Sequence, residues 1–180
     1  MVDHMVLLFS LLSLLALAAA VGLGASLVGP RARATASLEL GPYALPVAAT
    51  VAAVATFGSL YLSEVEGFVP CLLCWIQRGF IYPLAILLLV AAWRPFRWAA
   101  QIALALSTLG GLVAVYHYAE QRGWVGGSEQ FCDAAAPCTY VWVEQFGFMS
   151  IPFMAFTGFL FIALLAGLKM LGCPAPADGT

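Results

Sequence analysis

The stretch Val69–Ala85 reads VPCLLCWIQRGFIYPLA: a proline, two cysteines three positions apart, a glutamine and an arginine, at the edge of an apolar run. Proline suits the N-terminal edge of a helix, where its missing N–H is not needed. Pro70 therefore marks a helix start and puts Cys71 and Cys74 in the first turn. Unpaired backbone N–H groups and the helix dipole stabilise a thiolate at that position. The pair is activated by place alone, and the helix that follows is apolar enough to cross a membrane.

The rest of the chain has the same character. Of 180 residues 63% are hydrophobic and 9% charged, against about 25% charged in a soluble domain. So few charges cannot cover a water-facing surface. A net charge of −2 and the lack of a basic patch exclude a nucleic-acid binder, which must neutralise phosphates. Five apolar blocks stand out: Met5–Val28, Tyr43–Leu62, Leu72–Trp93, Trp98–Tyr118 and Phe148–Leu171. Each has the length that spans hydrocarbon at about 1.5 Å per residue, and lipid forces each to be helical. The expected fold is an all-α membrane protein: a four-helix bundle with an additional N-terminal transmembrane helix.

Basic residues set the expected orientation. Arg31 and Arg33, Arg94 and Arg97, and Lys169 fall on one side of a five-span chain, and the positive-inside rule makes that side the cytoplasm. The N-terminus is then outside and the C-terminus inside. Residues 1–41 read as the first helix with a cytoplasmic linker, 42–172 as the bundle, and 173–180 as a tail. A cleaved signal peptide is the alternative for the first block, but Met1–Met5 offers Asp3 and His4 instead of a basic n-region.

This topology sorts the five cysteines. Cys71 with Cys74, and Cys132 with Cys138, face the oxidising side, and Cys173 faces the reducing cytosol. A disulfide closing so small a loop removes little chain entropy, so Cys132–Cys138 makes a poor staple and reads as an exposed pair open to exchange. A zinc site made of both pairs is the bland alternative, at a spacing unusual for zinc ribbons. Cys71, Cys74 and Arg78 share one helix face. Arg78 either snorkels to the interface or, as guanidinium groups in spans usually do, has a partner. That partner is a thiolate or a reduced quinone oxygen, with Gln77 as a second donor.

PCLLCWIQRGFIYPLA resembles the signature of the DsbB/BdbC group of disulfide bond formation proteins, and GGLVAVYHYAEQ and SIPFMAFTGFLFI resemble that group's third and fourth helices. The resemblance spans Tyr43–Leu171. It implies a membrane oxidoreductase of the bacterial inner membrane that reoxidises a DsbA-like, thioredoxin-fold thiol oxidase and passes electrons to the quinone pool, ubiquinone or menaquinone. That relay is a known worked example of thiol–disulfide poise. By motif, Cys71 and Cys74 match the quinone-facing pair with Cys74 next to the ring, Cys132 and Cys138 match the pair that exchanges with the oxidase, and Arg78 matches the arginine beside the quinone. The extra N-terminal helix and the short spacing of the loop pair depart from the better-studied branch.

His117, in YHY, reads either as an aromatic-belt residue or as a quinone ligand and proton carrier. Pro83 is expected to kink its helix, and Gly110 and Gly111 to allow close helix packing. Thr139–Phe148 is expected as a short helix lying on the membrane surface. Trp75, Trp93, Trp98, Trp124 and Trp142 read as interface anchors. Two rivals are a vitamin K epoxide reductase-like enzyme, disfavoured because its loop cysteines precede the C-x-x-C, and a non-catalytic membrane protein with structural cysteines.

Overall fold

The computed structural model describes residues 2–126, 132 and 137–171; Cys173 lies outside them. Among these residues the protein has six helices: α1 (Val2–Val28), α2 (Pro30–Leu40), α3 (Ala44–Glu64), α4 (Leu72–Trp93), α5 (Ala99–Gln121) and α6 (Ile151–Leu171). Five of them, all but α2, are long and apolar enough to cross a membrane. They coincide with the five blocks to within a few residues.

α4 packs on α3 and α5, α5 on α6, and α6 back on α3. These contacts close a four-helix ring. α1 stands outside it, docked along α6. Small residues bring the helices together: Ala48, Ala49 and Ala52 of α3, Ala85 and Ala91 of α4, and Ala103 and Ala114 of α5 are all buried. In lipid, close backbone approach supplies the packing that the hydrophobic effect supplies in water. Gly110 is the sharpest case. A Cβ there would lie 2.5 Å from the ring of Phe159, which is buried on α6. At Gly111 the nearest atom would be 3.5 Å away. α4 continues through Pro83 without a break.

Two segments differ from expectation. The stretch after α1, expected as a linker, is itself a helix: Gly29 interrupts α1, Pro30 sits in the first turn of α2, and its fixed φ favours helix there. Thr139–Phe148 is not a surface helix. It is an irregular chain closed by a bridge between Gln145 and Met149. Phe146 and Gly147 adopt positive φ, 55° and 74°, which no right-handed helix permits. Its backbone groups are met by the end of α5 instead. Tyr118 Oη donates to the Phe148 carbonyl, Gln121 Nε2 to that of Tyr140 and Arg122 Nη2 to that of Gly147. Arg122 also pairs with Glu144 at 2.9 Å. The loop is therefore strapped onto the bundle beside the cysteines.

Candidate redox site

Cys71 is the N-cap of α4. Its backbone is extended, and its Sγ accepts from the Cys74 N–H at 3.4 Å. Sulfur thus takes the place that a serine or aspartate oxygen fills in an ordinary cap. The two Sγ atoms are 3.0 Å apart as a dithiol. The contacts that favour an anion converge on Cys71. The Cys74 thiol, then His117 and the Cys74 N–H, outweigh burial and hold the Cys71 thiol down at about 4.

His117 is not a belt residue. It is 2% exposed. Its Nε2 lies 3.6 Å from Cys71 Sγ and 3.2 Å from the Cys138 carbonyl oxygen. Its Nδ1 lies 3.0 Å from Gln77 Nε2. With that amide donating to Nδ1, the neutral ring carries its proton on Nε2, facing Cys71 and Cys138. The donor atoms of Cys71, Cys74 and His117 all lie within 4.8 Å of one another. Glu120, one turn further along α5, is also buried, and its Oε2 has no partner among the described residues. The sequence reading passed over it, although its spacing from His117 puts both on one helix face.

Cys132 and Cys138 form a disulfide. The expectation of an exposed pair is not met. Cys132 is half-buried, whereas Cys138 is 1% exposed, with the strapped loop over it. Two cysteines six positions apart look equally free in sequence, and only the docking of the loop separates them.

Arg78 does not snorkel. It is buried, Nε donates to Ser59 Oγ and Nη2 to the Ser59 carbonyl, and the guanidinium lies 5.0 Å from the centroid of the Trp75 ring. Nη1 has no acceptor among the described residues. Ser59 was not singled out in the sequence, where it reads as a small residue of an apolar helix.

Beside Cys74 a cavity of about 520 Å³ opens between α1, α3, α4 and α6, a size typical of small-molecule sites. Cys74, Gln77, Arg78 and Ser59 form one polar end, and nearly all the remaining wall is apolar. Trp142, stacked on Phe68 at 5.0 Å, joins the lining at that end. His117 does not line it: expected beside the quinone, it lies instead between the two cysteine pairs. A polar head between Arg78 and Cys74 with an apolar tail along the helices is the ligand shape this lining fits, and a quinone has that shape.

No solved structure gives a significant match to this chain. The family model "Disulfide bond formation protein DsbB" matches residues 42–169. A probable disulfide formation protein C of Bacillus cereus is 38% identical over 122 residues, 68% of this chain and 88% of that protein. Disulfide bond formation protein C of Bacillus subtilis is 36% identical, covering 66% and 89%. A probable disulfide formation protein of Oceanobacillus iheyensis is 45% identical, covering 60% and 75%. The two redox-capable cysteine pairs, the apolar helices around them and these matches lead to one conclusion: this chain belongs to the DsbB family of disulfide bond formation proteins, membrane thiol oxidoreductases.

Proposed function

We propose that the protein reoxidises a DsbA-like, thioredoxin-fold thiol oxidase and passes two electrons through both cysteine pairs to quinone. The observation that carries this reading is the position of His117 Nε2, within contact of both Cys71 Sγ and the Cys138 carbonyl, while Cys74 lines the cavity with Arg78. His117 thus joins one end of the C-x-x-C to the backbone of the loop pair, while the other end lines the cavity.

The exchanges balance as follows. A thiolate of the reduced partner attacks Cys132, the more accessible sulfur, and Cys138 leaves as a thiolate. The partner's second thiol displaces Cys132, so the partner gains a disulfide and the loop pair holds two electrons. Cys138 attacks Cys71 of the Cys71–Cys74 disulfide and Cys74 leaves. Cys132 then displaces Cys71 from Cys138 and restores the loop disulfide. A bound quinone would accept, with two protons, the two electrons given up as Cys71 and Cys74 return to a disulfide. Arg78 Nη1 and Gln77 would hold its head group beside Cys74. The S–S bond forms between the Cys71 thiolate, kept ionised by its neighbours, and Cys74, whose thiol proton passes with the pair's two electrons to that acceptor. His117 donates to that thiolate and orients it. The basic residues on the opposite side of the spans support an orientation with both pairs outside the cytoplasm.

The test is turnover by purified protein in detergent, with a reduced thioredoxin-fold oxidase and a quinone, following quinone absorbance. Quinone should be reduced in proportion to partner oxidised, and Cys71→Ser or Cys132→Ser should stop it. Partner oxidation that continues without quinone consumption would sink the proposal. Impermeant maleimide should reach reduced Cys132 in intact cells but not Cys173, and the reverse would overturn the orientation.

A further inference from the structure

The matched family region begins at residue 42, so α1 lies wholly outside it. α1 nevertheless forms one wall of the cavity beside Cys74. Phe9, Leu12, Ser13, Ala16 and Ala19 all line it. Phe9 fixes the register: a Cβ on Gly58 would be 3.1 Å from its ring, and Gly58 is the neighbour of Ser59, which holds Arg78. Phe9 therefore stands level with the polar end. Ala16 and Ala19 lie roughly two to three turns further along α1, where Thr50 and Val51 complete the lining from α3. From Thr50 to Ser63 the cavity follows α3 for roughly 20 Å. Leu12 and Leu15 stay 40% and 67% exposed at its rim, so the groove opens sideways toward lipid.

We infer that α1 is the tail wall of the quinone site: it encloses the prenyl chain of the acceptor and selects quinones by tail, without touching the reacting head. This inference rests on the relay proposed above. The occupant follows from the groove's continuity with the polar end and from its length and apolar lining. Among the described residues, the cavity gives an apolar chain running from a head group at Arg78 an enclosed course between α1, α3 and α6. The alternative occupant, an acyl chain of the bilayer, would not distinguish between quinones.

The experiment compares a tailless naphthoquinone with one carrying a polyprenyl tail, using wild-type protein, Ala16→Trp and Ala18→Trp. Ala18 is exposed and does not line the cavity. Ala16→Trp fills the tail groove and should raise KM for the tailed quinone about tenfold, the scale of overpacking a fitted site. KM for the tailless quinone should change less than about twofold, and Ala18→Trp should leave both unchanged. In the wild type, a diazirine at the tail end should label peptides of α1. Wild-type protein that reduces neither quinone defeats the relay and this inference with it. Wild-type protein that reduces both, with Ala16→Trp affecting both alike or neither, leaves the relay standing and overturns the tail wall. Tail-end label confined to α3–α6 overturns it too, whatever the folding of the variant.

Discussion

Arg78 and Ser59 lock together through two contacts, Nε to Oγ at 2.9 Å and Nη2 to the carbonyl oxygen at 2.9 Å. A planar fork is thereby held still, with Nη1 left without an acceptor among the described residues. Arg78→Ala should raise KM for quinone about 10- to 100-fold, the worth of a hydrogen bond to a charged group. Ser59→Ala removes half of the clamp and should cost about tenfold or less. Arg78→Lys should not restore the wild-type value, because one ammonium cannot make both bonds and also reach the ligand. Single-turnover exchange between partner and loop disulfide should be unchanged in all three. Quinone kinetics indifferent to Arg78 would place the head group elsewhere.

The Cys71 thiol, held at about 4, predicts an acid-resistant thiolate. In protein with both loop cysteines replaced by serine and the C-x-x-C reduced, ultraviolet thiolate absorbance should persist down to about pH 5, since free thiols titrate near 8.5, and vanish through the value given for Cys71. Cys74→Ala should raise the midpoint most and His117→Ala less, following the order of the contacts that lower it. The unfolded chain binds this proton where the folded chain does not. Stability of the reduced form is therefore fully present above the unfolded thiol pKa and is lost as pH falls toward the folded one. A midpoint near the ordinary thiol value would contradict the cap geometry.

Gly110 and Gly111 are neighbours with different constraints. A methyl at Gly110 would meet the Phe159 ring at 2.5 Å, and that ring is 2% exposed with little room to yield. Gly110→Ala should destabilise the bundle by about 1–3 kcal/mol, and Gly111→Ala should cost much less. Pairing Gly110→Ala with Phe159→Leu should recover part of the loss. Thermal denaturation in detergent reads all three, and equal effects at the two glycines would refute the close contact.

Burial separates the loop cysteines, so partner capture should be one-sided. Cys138→Ala leaves a half-buried thiol at Cys132 that can hold a thioredoxin-fold partner as a mixed disulfide, visible on a non-reducing gel and lost with dithiothreitol. Cys132→Ala leaves only Cys138, 1% exposed, and should trap far less. Equal trapping would mean that the loop does not stay docked.

The five apolar helices were legible because length and hydropathy alone decide which segments can live in lipid. The place of Cys71 and Cys74 at a helix start was legible because Pro70 and the C-x-x-C are local signals, but the capping role of Cys71 was not. Ser59, the loop over Cys138 and the surroundings of His117 were not, because each depends on residues far apart in the chain. Ser59 meets Arg78 across 19 positions and Tyr118 meets Phe148 across 30. Thr139–Phe148 has the composition of an amphipathic helix, but Gly147 and the side chains at the end of α5 hold it in another shape. The mixture of Tyr and His around residue 117 resembles an interfacial belt until packing closes over it.

His117 grips the backbone of Cys138, not its sulfur. In the proposed relay that hold does not involve the disulfide, so it would keep the thiolate freed on opening tethered near Cys71. A tethered reactant has an effective concentration that no freely diffusing thiol matches at ordinary levels. On the proposed relay, small thiols in solution would then compete poorly for the step between the two pairs, a step that freely exposed cysteines would leave open to them.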